Sequence, residues 1–138
     1  MKITAYVSFD GRCAEAFAFY AKVMGGTVRF SQTFGESPMA DQVPPDWRGK
    51  VMHATLAIGD QILYGSDPPP AQYRRAQGIS MSIEPATPAD GERIFNALAG
   101  GGQVMMPFAK TFWSAGFGMV VDRYGVPWMV NCEVAAAA

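Results

Sequence analysis

The sequence predicts an α+β chain in which one order of elements, a strand, a helix and three strands, occurs twice. Three observations carry that expectation. Short segments alternate apolar and polar residues with a period of two, the mark of half-buried strands. Two other segments place apolar residues at helical spacing and end in glycine. The whole order then recurs at an offset of roughly 75–77 residues, and shared element order rather than residue identity is the sign of the repeat. The 138 residues are 49% hydrophobic and 17% charged. That composition suits one domain with a core of its own and excludes general disorder.

In the first half, Ile3, Ala5, Val7 and Phe9 alternate with Thr4, Tyr6, Ser8 and Asp10 and predict a strand. Asp10-Gly11 turns the chain. Ala14, Phe17, Ala18, Ala21 and Met24 supply the apolar stripe of a helix that Gly25-Gly26 stops. A short strand is expected over 27–33. Residues 34–49 are rich in glycine, proline and polar side chains. The pair Pro44-Pro45 fits neither a helix interior nor a central strand, so the segment reads as a long loop. Loops of that length are often functional. A strand over 50–58 places Met52, Ala54, Leu56 and Ile58 on one face, and Gly59-Asp60 turns it into a partner over 61–65. Asp67-Pro68-Pro69-Pro70 opens a stiff, extended connector running to about Gln77.

The second half repeats the plan. A strand over 78–84 alternates Ile79, Met81 and Ile83 with Ser80 and Ser82. Thr87-Pro88 reads as the N-cap and first residue of a helix with the stripe Ile94, Ala97 and Leu98, stopped by Gly100-Gly101-Gly102. Strands follow over 103–106, 117–122 and 127–134, the last two joined by a turn at Tyr124-Gly125 in which Asp122 is the turn former. Residues 135–138 read as a frayed tail. The expected organisation is a single domain over 1–138, with module one over 1–67, a linker over 68–77 and module two over 78–134.

A net charge of −1 gives no basic bias towards nucleic acid or anionic lipid. No apolar run approaches the length that spans a bilayer, and the N-terminus alternates where a signal peptide would be continuously apolar. The expected location is cytoplasmic. The two cysteines, Cys13 and Cys132, form no Cys-x-x-Cys pair and read as semi-buried thiols in a reducing compartment.

Several segments together resemble the PhnB-like branch of the vicinal oxygen chelate superfamily, which includes glyoxalases, extradiol dioxygenases and bleomycin-binding proteins. They are Val7-Ser8-Phe9-Asp10-Gly11, Ala16-Phe17-Ala18-Phe19-Tyr20, Gly35-Glu36-Ser37-Pro38-Met39-Ala40-Asp41, Met52-His53-Ala54-Thr55-Leu56 and Gly65-Ser66-Asp67. The run from Phe117 through Asp122-Arg123-Tyr124-Gly125 to Trp128 completes the set. The resemblance implies paired βαβββ modules forming a curved eight-stranded mixed sheet around a cleft, with the helices on the convex face. It also implies a homodimer.

Superfamily enzymes hold a divalent metal with His or Glu from several strands that face the cleft. At those positions this chain offers His53, Tyr6 (Thr4 if the turn is aligned differently), Ser80 and Met129, with Asn131 next on the last strand. One imidazole with Tyr, Ser and Met makes no plausible site for a divalent ion of the kind these enzymes use. The expectation is therefore no metal and no cofactor, a divalent metal being the disfavoured alternative. His53, the single histidine, is a candidate general base or ligand donor, the alternative being a half-buried ring bonded to a neighbour. Glu36 is a second catalytic candidate, because Glu36 and Asp41 place two carboxylates in one loop; turn formation is the alternative. Tyr6, Tyr64, Ser80, Trp113, Met129 and Asn131 are candidate substrate-binding residues, with Trp113 placed to cover the cleft. Ser66 and Lys110 are further possible donors. Some members of this branch carry a methyltransferase label. The glycine run 100–102 follows a helix instead of joining a strand to one, so no site for a nucleotide methyl donor is expected.

Two readings follow. One is a protein that binds an unidentified small molecule in the cleft, without the superfamily metal and with no nucleic-acid or membrane partner. The other is a glyoxalase-like lyase or related enzyme using His53 as general base or single retained metal ligand.

Overall fold

A computed structural model describes residues 1–133. Its elements run β1 (Tyr6–Ser8), α1 (Cys13–Met24), β2 (Thr27–Thr33), β3 (Val51–Ile58) and β4 (Gln61–Ser66), then β5 (Met81–Ile83), α2 (Pro88–Ala99), β6 (Gln103–Ala109), β7 (Ser114–Val121) and β8 (Pro127–Glu133). The predicted element order is present in full. Hydrogen bonding divides the eight strands into two four-stranded mixed sheets, ordered β1-β4-β3-β2 and β5-β8-β7-β6. The chain forms two compact units, residues 1–75 and the remainder from Ala76.

In the first unit β1 pairs β4 in parallel, and the other pairings are antiparallel. Helix α1 lies against β2 and β3. Its buried side chains are Cys13, Ala16, Phe17, Tyr20 and Val23, so of the predicted stripe only Phe17 is buried. Ala14 and Ala18 face solvent. The observed stripe follows the same helical spacing but turns the large side chains inward, and these remove far more apolar area from water than alanines do. Gly25 closes the helix in the left-handed conformation, φ 69°. Phe9 meets Phe17 edge-on, with centroids 5.7 Å apart. A Cβ on Gly65 would lie 2.6 Å from Phe17 Cζ, so β4 needs glycine there for α1 to approach.

The first predicted strand is shorter than expected. Val7 and Phe9 are buried, but Ile3 and Ala5 are exposed. The loop over 34–49 contains three single turns of 3₁₀-helix, Phe34–Glu36, Ala40–Gln42 and Pro45–Trp47. Pro44 caps the third and Pro45 begins it, positions that need no backbone donor. Buried Phe34 and Val43 anchor the segment. The connector is not extended throughout: Gln72 N–H donates to Pro69 O at 2.8 Å and folds a turn into it.

Asp67 binds this unit together. Its Oδ1 accepts from Cys13 N–H at the start of α1 (2.9 Å), and its Oδ2 accepts from Val51 N–H at the start of β3 (3.0 Å). Its own backbone carbonyl accepts from the Trp47 indole at 3.0 Å. Burial pushes the Asp67 carboxyl above its usual range, against the hydrogen bonds from Val51 and Cys13 and the charge of Lys50.

In the second unit β5 pairs β8 in parallel. Thr87 caps α2 as predicted, its side chain accepting from Asp90 N–H at 3.1 Å. Ile94 and Leu98 are buried as expected, together with Gly91 and Phe95, while Ala97 is half-buried. Strand β6 continues through Pro107 to Ala109, three residues past its predicted end at 106. Proline is tolerated there because β6 is an edge strand. Asp122 is the predicted turn former, and its side chain also accepts from the Trp128 indole at 2.8 Å. Val134 and the tail over 135–138 lie outside the described residues. Cys13 and Cys132 are buried free thiols, and burial raises both. Among the described residues, no helix is long and apolar enough to cross a membrane.

Candidate functional site

Strand alternation decides which side chains meet on the sheet face away from α1. On β3, Ala54 and Leu56 are buried in the core, so His53 and Thr55 point the other way. Thr55 is opposite Tyr64 on β4, Tyr64 is opposite Tyr6 on β1, and His53 is opposite Gln32 on β2. Tyr6, Tyr64 and His53, all named from the sequence, therefore share one face, and His53 and Tyr64 are half-buried on it.

A bulge adds Phe30 to this group. Val28 pairs Leu56, but Phe30 pairs Thr55, so Arg29 is an extra residue that reverses the phase of β2. In an unbroken strand Phe30 would share the core face with Val28. Period counting carries no sign of such an insertion, so Phe30 and Gln32 are absent from the predicted set. A second irregularity, between Gln32 and Thr33, makes Met52 the extra residue on β3. Val51 is consequently buried instead of sharing the His53 face.

The group is a ring of aromatic side chains around one imidazole. Tyr6 Oη is hydrogen-bonded to His53 Nδ1 at 2.9 Å. The His53 centroid lies 5.2 Å from Tyr64, 5.5 Å from Tyr6 and 6.1 Å from Phe30, all in tilted arrangements. Tyr6 is 53% exposed and Phe30 49% exposed. Among the described residues, His53 Nε2 makes no hydrogen bond. An aromatic wall of this kind, with a few polar groups, is how small-molecule sites are commonly lined.

The Glu36 carboxylate is bonded to Thr33. Its Oε1 accepts from Thr33 N–H at 3.1 Å and Thr33 Oγ1 at 2.8 Å, closing a capping box, and these bonds hold its carboxyl below the usual range. No hydrogen bond joins its side chain to His53; only its backbone carbonyl accepts from Gln32 Nε2, at 3.3 Å. Asp41 sits 3.5 Å from Arg48, exposed.

Ser66, opposite Ser8 at the end of β4, shares the face of Tyr64, and the remaining candidates lie in the second unit. Met129 pairs Met119, and Asn131 pairs Phe117, whose ring is 5.5 Å from Trp113. These side chains share the face opposite buried Val120, Trp128 and Val130. Asn131 Oδ1 is buried without a hydrogen-bond partner among the described residues. Ser80 is exposed and precedes β5 rather than lying within it, because the strand begins only at Met81.

The resemblance implies a metal, and the donor chemistry does not fit one. Around His53 stand two phenols, a phenyl ring and an amide. Among the described residues no three His, Cys, Asp or Glu side chains come together.

Comparison with known proteins agrees with the fold. The chain is 48% identical to protein PA1353 from Pseudomonas aeruginosa, with a TM-score of 0.88 over 96% of this chain and 98% of that one. It is 33% identical to Protein YjdN of Escherichia coli, over 95% of each chain. A structure from Bacillus cereus described as a putative 3-demethylubiquinone-9 3-methyltransferase, PhnB protein, is 25% identical with a TM-score of 0.82, over 96% of this chain and 99% of that one. Glyoxalase-related structures at lower identity share the fold alone. The profile of the family described as 3-demethylubiquinone-9 3-methyltransferase matches residues 1–131. The chain thus belongs to that PhnB-like family, on the vicinal oxygen chelate fold of the glyoxalase, bleomycin resistance and dioxygenase proteins.

Proposed function

We propose that the chain binds a small molecule on the aromatic face around His53, without the metal centre of its superfamily. The observation that carries this is the Tyr6–His53 hydrogen bond set among the rings of Phe30 and Tyr64 on a solvent-facing sheet. The test is a panel of small aromatic acids, amines and alcohols, followed through the ring resonances of the single histidine. At least one member shifts those resonances and loses about tenfold in affinity in His53→Ala, the worth of one good hydrogen bond. A panel with no binder, or binding that His53→Ala leaves unchanged, overturns the reading.

The lyase alternative draws on one feature, the Nε2 of His53, which has no hydrogen-bond partner among the described residues and would take a substrate proton only in the Nδ1–H tautomer.

Two absences follow as expected results. Titration with Mn²⁺, Ni²⁺ or Zn²⁺ leaves no ion bound after dialysis; close to one retained equivalent would restore the metal site. Calorimetry with a nucleotide methyl donor gives no micromolar binding, in spite of the family's description, because among the described residues no glycine-rich turn joins a strand to a helix; micromolar heat would reverse that statement. The reading also keeps the homodimer. Phe112 (94% exposed) and Ile3 (95% exposed) are large apolar side chains that a second copy would cover. Scattering at several concentrations is expected to give twice the chain mass, and a single-chain particle throughout would remove the dimer. The buried free thiols support a cytoplasmic setting.

A further inference from the structure

We infer that Tyr6 is a positioning residue: its hydroxyl fixes His53 as the Nε2–H tautomer, so the site presents a donor and takes a planar aromatic ligand bearing a carboxylate or other oxygen acceptor. This rests on the small-molecule reading above and names the ligand class for it.

The argument begins with the 2.9 Å bond between Tyr6 Oη and His53 Nδ1. A neutral imidazole has one N–H and one lone-pair nitrogen, and the partner of one nitrogen decides the state of the other. The phenol oxygen shares its lone pair with its ring and accepts poorly, whereas its O–H donates well. The imidazole lone pair is the better acceptor of the two. The proton therefore runs from Tyr6 to Nδ1, and the ring's own hydrogen sits on Nε2. That nitrogen has no partner among the described residues. It directs N–H density at an incoming atom, and it is not free to take a proton there.

The surroundings select the rest of the ligand. Tyr6, Phe30 and Tyr64 supply ring faces and edges within 5.2–6.1 Å of the imidazole, suited to a flat apolar body. Ring faces also attract cations. A cation, however, would meet an outward N–H, and Tyr6, Phe30, Tyr64 and Gln32 carry no negative charge to pair with it. The sequence candidate Glu36 has its carboxylate bonded to Thr33. An anionic oxygen instead forms a charge-assisted bond with Nε2–H.

The experiment uses ¹⁵N-labelled full chain, in which one histidine gives one set of ring signals. In the ligand-free protein near neutral pH, the protonated-type nitrogen is expected at Nε2, and Tyr6→Phe should give a tautomer mixture. Tyr6 is half-exposed, so this variant keeps its fold, and a merely structural role would not move the tautomer signal. Benzoate is then expected to shift Nε2 in wild type and to bind about twofold more weakly in Tyr6→Phe, the factor by which an even tautomer mixture thins the Nε2–H form, with benzylamine weaker than benzoate. A protonated Nδ1, or the same tautomer average in wild type and Tyr6→Phe, overturns the positioning role even if probes bind. Binding of benzylamine in preference to benzoate overturns the ligand class while leaving small-molecule binding intact. Failure of both these probes and the wider panel removes the binding reading itself.

Discussion

Replacing Asp122 with alanine is expected to cost about 3–5 kcal/mol of folding stability. The side chain is 3% exposed. Its Oδ1 accepts from Tyr124 N–H at 2.8 Å and Val126 N–H at 3.0 Å, and its Oδ2 accepts from the Trp128 indole at 2.8 Å. All three donors belong to buried residues. Alanine would strand them, and each unpaired buried donor costs roughly 1–3 kcal/mol, reduced where water can enter. Urea unfolding followed by tryptophan fluorescence measures the loss. Asp122→Asn separates the parts: it keeps an acceptor for the two backbone donors but turns an amide N–H₂ towards the indole N–H. Its cost should be about half that of alanine. Equal stability of wild type and Asp122→Ala would mean that the turn holds without its carboxylate.

Asp67 is expected to give the next largest effect, about 2–4 kcal/mol for Asp67→Ala, because two buried backbone donors lose their acceptor and the start of α1 is released from the start of β3. It should also leave a pH signature. Burial raises its carboxyl in the folded chain, so the folded state holds the proton more tightly than the unfolded state does. The stability from this group is therefore fully present below the ordinary carboxylate range, near pH 4. It is lost as pH rises through the raised folded value. Urea midpoints measured across that window should fall with rising pH in the wild type. The step should be missing in Asp67→Asn, whose side chain does not titrate. A wild-type midpoint that rises over the same interval, relative to Asp67→Asn, would show the hydrogen bonds outweighing burial.

Much of this was readable from local rules. Thr87-Pro88 caps α2, Gly25 closes α1, and His53 lies out of phase with Ala54 and Leu56, as cap chemistry and strand period require. What escaped depends on events those rules do not see. The extra residue at Arg29 reverses β2 and brings Phe30 beside His53. Alanine and tyrosine can occupy the same helical spacing, and only packing against the sheet decides that Tyr20 and Val23 turn inward. Pro107 reads as a strand terminator until the strand is known to be at an edge. The role of Asp67 needs three distant segments to meet at one carboxylate, and no linear spacing records that meeting.

The irregular pairing of β6 has a bearing on how the chain behaves in a crowded solution. Val104, Met105 and Met106 are exposed on an edge strand, a combination that would ordinarily invite another molecule's strand to add on and begin fibrous growth. Here the pairing with β7 shifts register twice within the seven residues of Gln103–Ala109, and Pro107 withholds a backbone donor. An incoming strand would find no continuous row of amides to copy. The edge can thus keep its methionines in contact with solvent without serving as a template for aggregation.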